Sequence, residues 1–401
     1  MKIAYIVPYV PNLIRTRPYN LIVHLVALGH HVEVFTLGSS KQDLADAQAL
    51  RHRGAVVHYF PLPVWNSFLN SVLALPTPQP LQTVYSWQAK LAQQVAERIA
   101  NKDFDVVHVE HLRGSRYGRY LKSRFPGQPL VWDSVDCISH LFEQAASQSR
   151  SWFGRFVTRF ELPRTKRAEG RLICDFNHVL VTSEADRGAL LELVPKGAKP
   201  APVSVLPNGV DLDYFHPKPE VARDPDAIVF SGKMSYHANI SMAKYLVGEI
   251  MPLVWKQRPS AKVLIVGKDP TAEILEFGRH PRVKVTGTVE DLRPYLWNAA
   301  VAVVPLLYGA GIQNKILEAM ATSTPVVTSS RTLSALRVVA GRDILLADTP
   351  EAFANQLIKV MSGPEYAAAV GTAGLEYVKA FHDWKRITQS LADVYEKVSV
   401  G

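Results

Sequence analysis

Residues 305–325 read PLLYGAGIQNKILEAMATSTP. The stretch leaves a β-branched run at Val301–Pro305, passes Gly309 and Gly311, and enters a helical pattern near Asn314 whose apolar side takes in Ile316, Leu317 and Met320. A glycine loop that opens a helix presents unpaired N–H groups and the positive end of the helix dipole, which suits an anion. Phosphate or sugar hydroxyls fit such a place. Lys315 adds a full positive charge at that helix start, where a cation is unfavourable unless an anion sits nearby. Glu318, one turn further on, is placed to accept two hydrogen bonds from a vicinal diol such as a ribose. Each of these residues alone is what any solvated helix start carries; together they point to a ligand.

Working outward, the run at 301–305 is one of a series of short β-branched segments separated by helical stretches, the pattern of a parallel α/β sheet. The strands expected in the first half are Lys2–Val7, His31–Thr36, Val56–Phe60, Val106–Glu110, Leu130–Asp133 and His178–Thr182. Those in the second half are Ala227–Ser231, Lys262–Val266, Val283–Thr286, Val301–Pro305, Pro325–Thr328 and Ile344–Ala347. The series starts twice. Between them 195–226 is rich in Pro, Gly and Asp, interrupted by one short extended run at Val203–Leu206. The expectation is therefore an α/β chain of two Rossmann-like domains, 1–206 and 226–380, joined by a linker at 207–225. A last helix, within 381–401, carries Ile387, Leu391, Val394 and Tyr395 at helical spacing and is expected to pack back on the first domain. Two such domains facing a central cleft would turn the C-terminal ends of both sheets toward it, where open α/β sheets bind ligands.

At 401 residues, 47% hydrophobic and 20% charged, the chain is too long for one small module and too apolar for a disordered protein. Cys137 and Cys174 supply neither a disulfide framework nor a Cys-rich zinc site and suit a reducing, cytoplasmic compartment. The Ile3–Val10 run is too short and proline-broken for a signal peptide. The apolar segment Phe60–Leu81 carries too many prolines for a spanning helix and reads as a loop. The net charge of +9 is one-sided: residues 1–200 hold 24 Lys and Arg against 16 Asp and Glu, and residues 201–401 hold 21 against 20. A basic first half suits an anionic partner such as the inner face of a membrane. The segment Arg150–Arg171 spaces Trp152, Phe156 and Phe160 four apart with Arg155 and Arg159 on another side. That arrangement suits either a membrane-interface helix or one facing the core. No nucleic-acid module accompanies the charge.

A dinucleotide enzyme would place G-x-G-x-x-G after its first strand, but the chain reads Pro8-Tyr-Val-Pro-Asn-Leu-Ile-Arg-Thr-Arg-Pro18, with Arg15 and Arg17 expected at the mouth of the cleft. No P-loop, HExxH or GxSxG is present. The D-x-D triplets at 103–105, 211–213 and 224–226 fall in a turn or the linker, so no metal is expected. Asp133, at the end of the Leu130–Asp133 run and followed by Asp136, is placed to orient an acceptor hydroxyl or take its proton, or equally to cap the next helix. His111 closes another strand and is the second candidate; His108, inside it, reads as structural.

The second half resembles the donor domain of GT-B glycosyltransferases of family 4. The likeness rests on Pro207-Asn-Gly-Val-Asp211, Phe230-Ser-Gly-Lys-Met234, Val263-Leu-Ile-Val-Gly267, Val285-Thr-Gly-Thr-Val289 and Gly311-Ile-Gln-Asn-Lys-Ile-Leu-Glu-Ala-Met320. Within that family, Gly-Ile-Gln-Asn-Lys and Arg293-Pro-Tyr295 are similar to bacterial sugar transferases of exopolysaccharide and exosortase-linked clusters. The resemblance implies that Glu318 takes the ribose, and that Gly311, Ile312 and Gln313, with Asn314 behind them, offer backbone N–H groups to sugar and phosphate. Gly232 and Lys233 would hold the diphosphate, and the loop near Val289 the base. It further implies a nucleotide-sugar substrate and no cofactor. The transferred sugar would go, with retention, to a lipid-linked or polysaccharide hydroxyl, with Lys233 stabilising the departing diphosphate. The second basic residue expected after Lys233 is displaced, since the loop runs Ser235-Tyr-His-Ala-Asn239, and on our own reading of the residues Lys315 compensates from the opposite side. One departure stands out: the first of the family's paired glutamates falls on Ala310. That departure keeps open a catalytically silent nucleotide-sugar binder, and a GT-B epimerase is the other alternative.

Overall fold

The computed structural model describes residues 1–148, 152–308 and 312–400, with side chains outside 144–158. The chain divides into two compact units, Met1–Pro207 with Trp384–Gly401, and Asn208–Asp383. In the first, β1 (Lys2–Val7), β2 (His31–Gly38), β3 (Val56–Pro61), β4 (Val106–Glu110), β5 (Leu130–Val135), β6 (His178–Val181) and β7 (Val203–Val205) form one sheet of order β3-β2-β1-β4-β5-β6-β7. Every pairing is parallel. The extended run at 203–205 is thus the seventh strand of this sheet, held against Val179–Val181.

Parallel strands covered on both faces must be apolar throughout, which is why Ile3–Val7 carries no polar break. Alternation then sorts the side chains between two layers. Ala4 and Ile6 face a core with Phe35, Val107, Val109 and Trp132. Ile3, Tyr5 and Val7 face a second core, built with Trp384, Ile387, Leu391 and Tyr395 of the final helix, Trp384–Val400.

The second unit repeats the scheme with β8 (Asp224–Ser231), β9 (Lys262–Val266), β10 (Val283–Val285), β11 (Ala299–Val304), β12 (Val326–Thr328) and β13 (Leu345–Leu346), ordered β10-β9-β8-β11-β12-β13. Residues 208–223 belong to this unit: Val210 bridges Asp383, and the Arg223 guanidinium donates to Leu296 O, Ala299 O and Thr322 O. The helix Asn314–Ala321 buries Ile316, Leu317 and Met320 against the sheet, each contributing on the order of 2 kcal/mol. Strand order reverses between β1 and β4 in one unit and between β8 and β11 in the other. A crevice at such a reversal, outside the C-terminal ends of the strands, is where α/β sheets hold ligands.

Within Phe60–Leu81, Val64–Ala74 is helical where the sequence suggests a proline-rich loop. The prolines cluster at its ends, leaving Val64–Ala74 free to form a helix with Pro63 at its N-cap.

Candidate active site

In the second unit, β8 and β9 exit side by side. Gly232 and Gly267 follow them, both at φ +148°, and the Gly232 N–H donates to Val266 O at 3.0 Å. A Cβ on Gly267 would lie 1.8 Å from Gly232 O, so only glycine lets the two exits close up. A Cβ on Gly232 would lie 2.7 Å from Asn239 Nδ2 and 3.1 Å from Lys315 Nζ. The space a side chain would fill is occupied by polar groups.

Asn239 fixes that arrangement. Buried beneath the loop, it donates through Nδ2 to Lys233 O at 2.8 Å and accepts from Lys315 Nζ through Oδ1. The Lys315 ammonium also lies 4.8 Å over the Phe230 ring. Its hydrogen-bonding partner is therefore a neutral amide, and burial lowers its pKa to about 8. Glu318, one helical turn on, is pushed up to about 7 by burial, with Lys315 pulling the other way. Among the described residues, no hydrogen bond or close ion pair reaches the Glu318 carboxyl. Two oppositely charged groups, both half-buried and both displaced toward neutrality, mark a place suited to a ligand with donors and negative charge.

Around this pair, Gln313 occupies the N-cap of the Asn314–Ala321 helix without a side-chain bond to its N–H groups. Lys233 is exposed, 3.7 Å from Asp269. Ile312 and Val289 both pack part-buried on the sheet's core, so Val289 can offer a base its backbone and one apolar flank. Gly309, Ala310 and Gly311 lie outside the described residues, and with them the glycine loop and the position of the missing glutamate.

The first unit revises several expectations. Asp133 is fully buried and bonded to Arg17, with Nε at 2.9 Å and Nη2 at 2.8 Å from Oδ2. Arg17 also donates to Leu206 O at 2.9 Å. The two residues expected to face an acceptor thus neutralise each other inside the unit, and Asp133 accepts Val135 N–H rather than capping a helix.

Beside them lies a network the sequence reading missed. Tyr5 OH donates to Glu110 at 2.8 Å, and Tyr395 OH pairs with His108 Nδ1 at 2.8 Å. Burial holds His108 down to about 4, hence neutral, and lifts Glu110 and Asp133 above the usual carboxylate range. The ligand atoms of His108, Glu110 and Asp133 come within 4.8 Å of one another, as a metal would need. Arg17, Tyr5 and Tyr395 already serve those atoms, and the guanidinium would repel a cation.

His111 has φ +61° at the start of its helix, and burial brings it down to about 4. Its Nδ1 takes the Arg113 N–H at 3.4 Å, which places the ring proton on Nε2 as a donor. Asp136 is half-buried near Asp186 and raised to about 6, with Thr182 Oγ1 at 3.3 Å. Arg15 stacks 4.8 Å over Tyr9 and borders a cavity of about 170 Å³ with Tyr9, Asp43, Tyr85 and Arg113. Asn239 and Glu110 carry no sequence signal of their own, and the helical spacing that marks Tyr395 says nothing of its hydroxyl's partner. Gly267 sits inside a recognisable motif, and its role emerges only from the closeness of the strand exits.

Residues 14–209 match the family model for the glycosyl transferase 4-like domain, and residues 225–363 the model for glycosyl transferases group 1. Among curated relatives, the chain is 27% identical over 208 residues to the phosphatidyl-myo-inositol mannosyltransferase of Mycobacterium leprae, covering 49% of this chain and 54% of that protein. It is 25% identical over 244 residues to the lipopolysaccharide core biosynthesis mannosyltransferase LpcC of Rhizobium leguminosarum bv. viciae, covering 57% and 66%. The matched stretches span about half to two thirds of those relatives' lengths. Among solved structures, Anabaena Alr3699/HepE in complex with UDP and glucose aligns over 99% of this chain and 100% of its own, with TM-score 0.68 at 15% identity. TarM aligns over 98% of each chain with TM-score 0.63 at 11% identity. With both of its units matched by family models and its whole length aligned to GT-B structures, the chain belongs to the GT-B glycosyltransferases of family 4.

Proposed function

We propose that the protein transfers a sugar from a nucleoside diphosphate, UDP in preference to GDP, to a hydroxyl of a lipid-linked or polysaccharide acceptor, with retention and at the cytoplasmic face of a membrane. The observation that carries the reading is the Lys315–Glu318 pair: a half-buried ammonium bonded to a neutral amide, and a half-buried carboxyl that no donor reaches among the described residues, on one turn of a helix at the β8/β11 reversal. Glu318 accepts the two ribose hydroxyls. Lys315, Lys233 and the N–H groups at the start of the Asn314–Ala321 helix take the diphosphate and stabilise its charge as the sugar departs. Positioning and electrostatics do the chemistry. The UDP named in the HepE complex supports the base, and phosphatidyl-myo-inositol and lipopolysaccharide in the relatives' names support a lipid-borne acceptor.

No metal enters this mechanism. His111, as a donor, can bond a sugar hydroxyl.

Incubation with UDP- and GDP-sugars without acceptor tests the proposal, because transferases leak donor to water. Release of the nucleoside diphosphate that disappears in Glu318→Ala supports it. Binding without turnover, across donors and a broad acceptor panel, supports the silent binder that Ala310 suggests.

A further inference from the structure

A cavity of about 430 Å³ in the first unit is lined by Arg116, Arg119, Arg167 and Arg171, with Pro78 and Thr83 at its rim and no acidic residue in its wall. Arg119 is matched by Asp175 at 3.1 Å. Arg116 stacks 4.5 Å over Trp87, and neither it, Arg167 nor Arg171 makes an ion pair among the described residues. Residues 144–158, whose side chains are not described, contain no Asp or Glu. Three arginines without an ion-pair partner among the described residues, half-buried Arg116 and exposed Arg167 and Arg171, thus line one concavity, and an anion with several acceptor oxygens can be shared among them. The volume suits a phosphate or diphosphate with part of what it is attached to.

The second observation lies next to it. The helix Val64–Ala74 turns Val64, Trp65, Phe68 and Leu73 to solvent, at 68%, 65%, 56% and 73% exposure. No Asp, Glu, Lys or Arg occurs anywhere from 54 to 89. The chain passes from this helix into the cavity rim within four residues, and Arg164 Nη2 donates to Leu75 O at 2.7 Å. Leu81 N–H donates to Glu161 at 2.9 Å, so both ends of the connection are tied to the helix that carries Arg167 and Arg171. An uncharged, aromatic-bearing helix exposed beside a cluster of arginines is the composition of a membrane-interface element.

We infer that the arginine cavity and the Val64–Ala74 helix form one site for a membrane lipid bearing a phosphate monoester or diphosphate headgroup, with the headgroup among the arginines and the helix entering the headgroup boundary. The inference deepens the reading of the protein as a transferase working on lipid-borne acceptors and rests on it. The Trp152–Phe156–Phe160 stripe, which the sequence offers for the same role, has two members outside the described side chains. Phe160 is stacked by Arg164 at 3.8 Å.

Full-length protein is sedimented with vesicles of phosphatidylcholine alone and with added phosphatidic acid, and pyrophosphate is titrated into it separately. The expected result is binding only to vesicles with the phosphate monoester, competed by pyrophosphate. Each arginine removed should weaken it about fivefold, so Arg167→Gln/Arg171→Gln should lose on the order of 25-fold. Trp65→Ser/Phe68→Ser should lose vesicles yet keep pyrophosphate, which distinguishes a lipid headgroup from free phosphate. Thermal melting confirms that the variants fold. Equal binding to both vesicle types, undiminished binding by the arginine variant, tighter binding to an RNA oligonucleotide than to vesicles, or self-association through the exposed helix in place of vesicle binding would each overturn the inference. UDP titration of the wild-type protein is read alongside. Lipid binding lost with UDP binding intact strikes this inference alone, and UDP binding lost strikes the reading beneath it.

Discussion

Replacing Glu318 by alanine should weaken nucleoside diphosphate binding by about 150-fold. The free carboxyl is raised to about 7 by burial, and no hydrogen-bond donor reaches it among the described residues. A ribose diol would bring two donors to its charged form. Charge-assisted hydrogen bonds contribute roughly 1.5–3 kcal/mol each, and after desolvation a net of about 3 kcal/mol remains, which is the stated factor. The same geometry fixes a pH dependence. The ligand favours the ionised carboxylate, so binding lowers its pKa and expels a proton, and affinity rises as pH climbs toward about 7. Were the bound pKa to fall to the ordinary 4.5, the change would be worth about 3.4 kcal/mol, consistent with the hydrogen-bond figure. Calorimetry of UDP in buffers of different ionisation enthalpy measures both quantities. Roughly half a proton should be released by Glu318 near pH 7, and in Glu318→Ala that release should vanish, leaving only the slight uptake by Lys315. Alanine affinity within about threefold of wild type, or affinity flat across this range, would refute the reasoning.

Lys315 supplies the opposite limb. Its folded pKa of about 8 lies below the ordinary value, and a diphosphate favours the charged form, so UDP affinity should fall as pH rises above about 8; Lys315→Met should abolish that fall. Gly267→Ala forces a Cβ to within 1.8 Å of Gly232 O at φ +148°, so the strand exits must separate. More than about 3 kcal/mol of stability should be lost in urea unfolding, together with UDP binding. Arg17→Met leaves Asp133 charged and buried, which should cost about 3–5 kcal/mol in the same assay; adding Asp133→Asn should recover most of it. An Asp133→Asn protein of unchanged stability but slow transfer would restore Asp133 to the acceptor site.

The strands were legible because parallel sheets covered on both faces need unbroken apolar runs, and Ile3–Val7 or Val263–Val266 can satisfy nothing else. The nucleotide end of the site was legible for a related reason: a charge at a helix start and a carboxylate one turn on are local features, fixed by helical spacing alone. What escaped was non-local. Asp133 and Arg17 are 116 positions apart and look equally available until β5 and the Thr16–Ala27 helix bring them together. Tyr395 meets His108 across 287 positions, and no periodicity reports that. Asn239 matters because two glycines let its amide reach Lys315. The exposed Val64–Ala74 helix escaped for another reason: its flanking prolines suggest a loop, but they stand outside the helix and leave its N–H groups intact.

On the proposed reading, the nucleoside diphosphate is held by the second unit, between the exits of β8 and β9 and the start of the Asn314–Ala321 helix. Hydrogen exchange of the full-length protein, with and without saturating UDP, tests it most directly. Nucleotide binding should slow exchange in 231–239, around 286–290 and in 312–320, with no such slowing in Glu318→Ala at the same nucleotide concentration. Protection confined to residues 1–207, or none despite calorimetric binding, would contradict it.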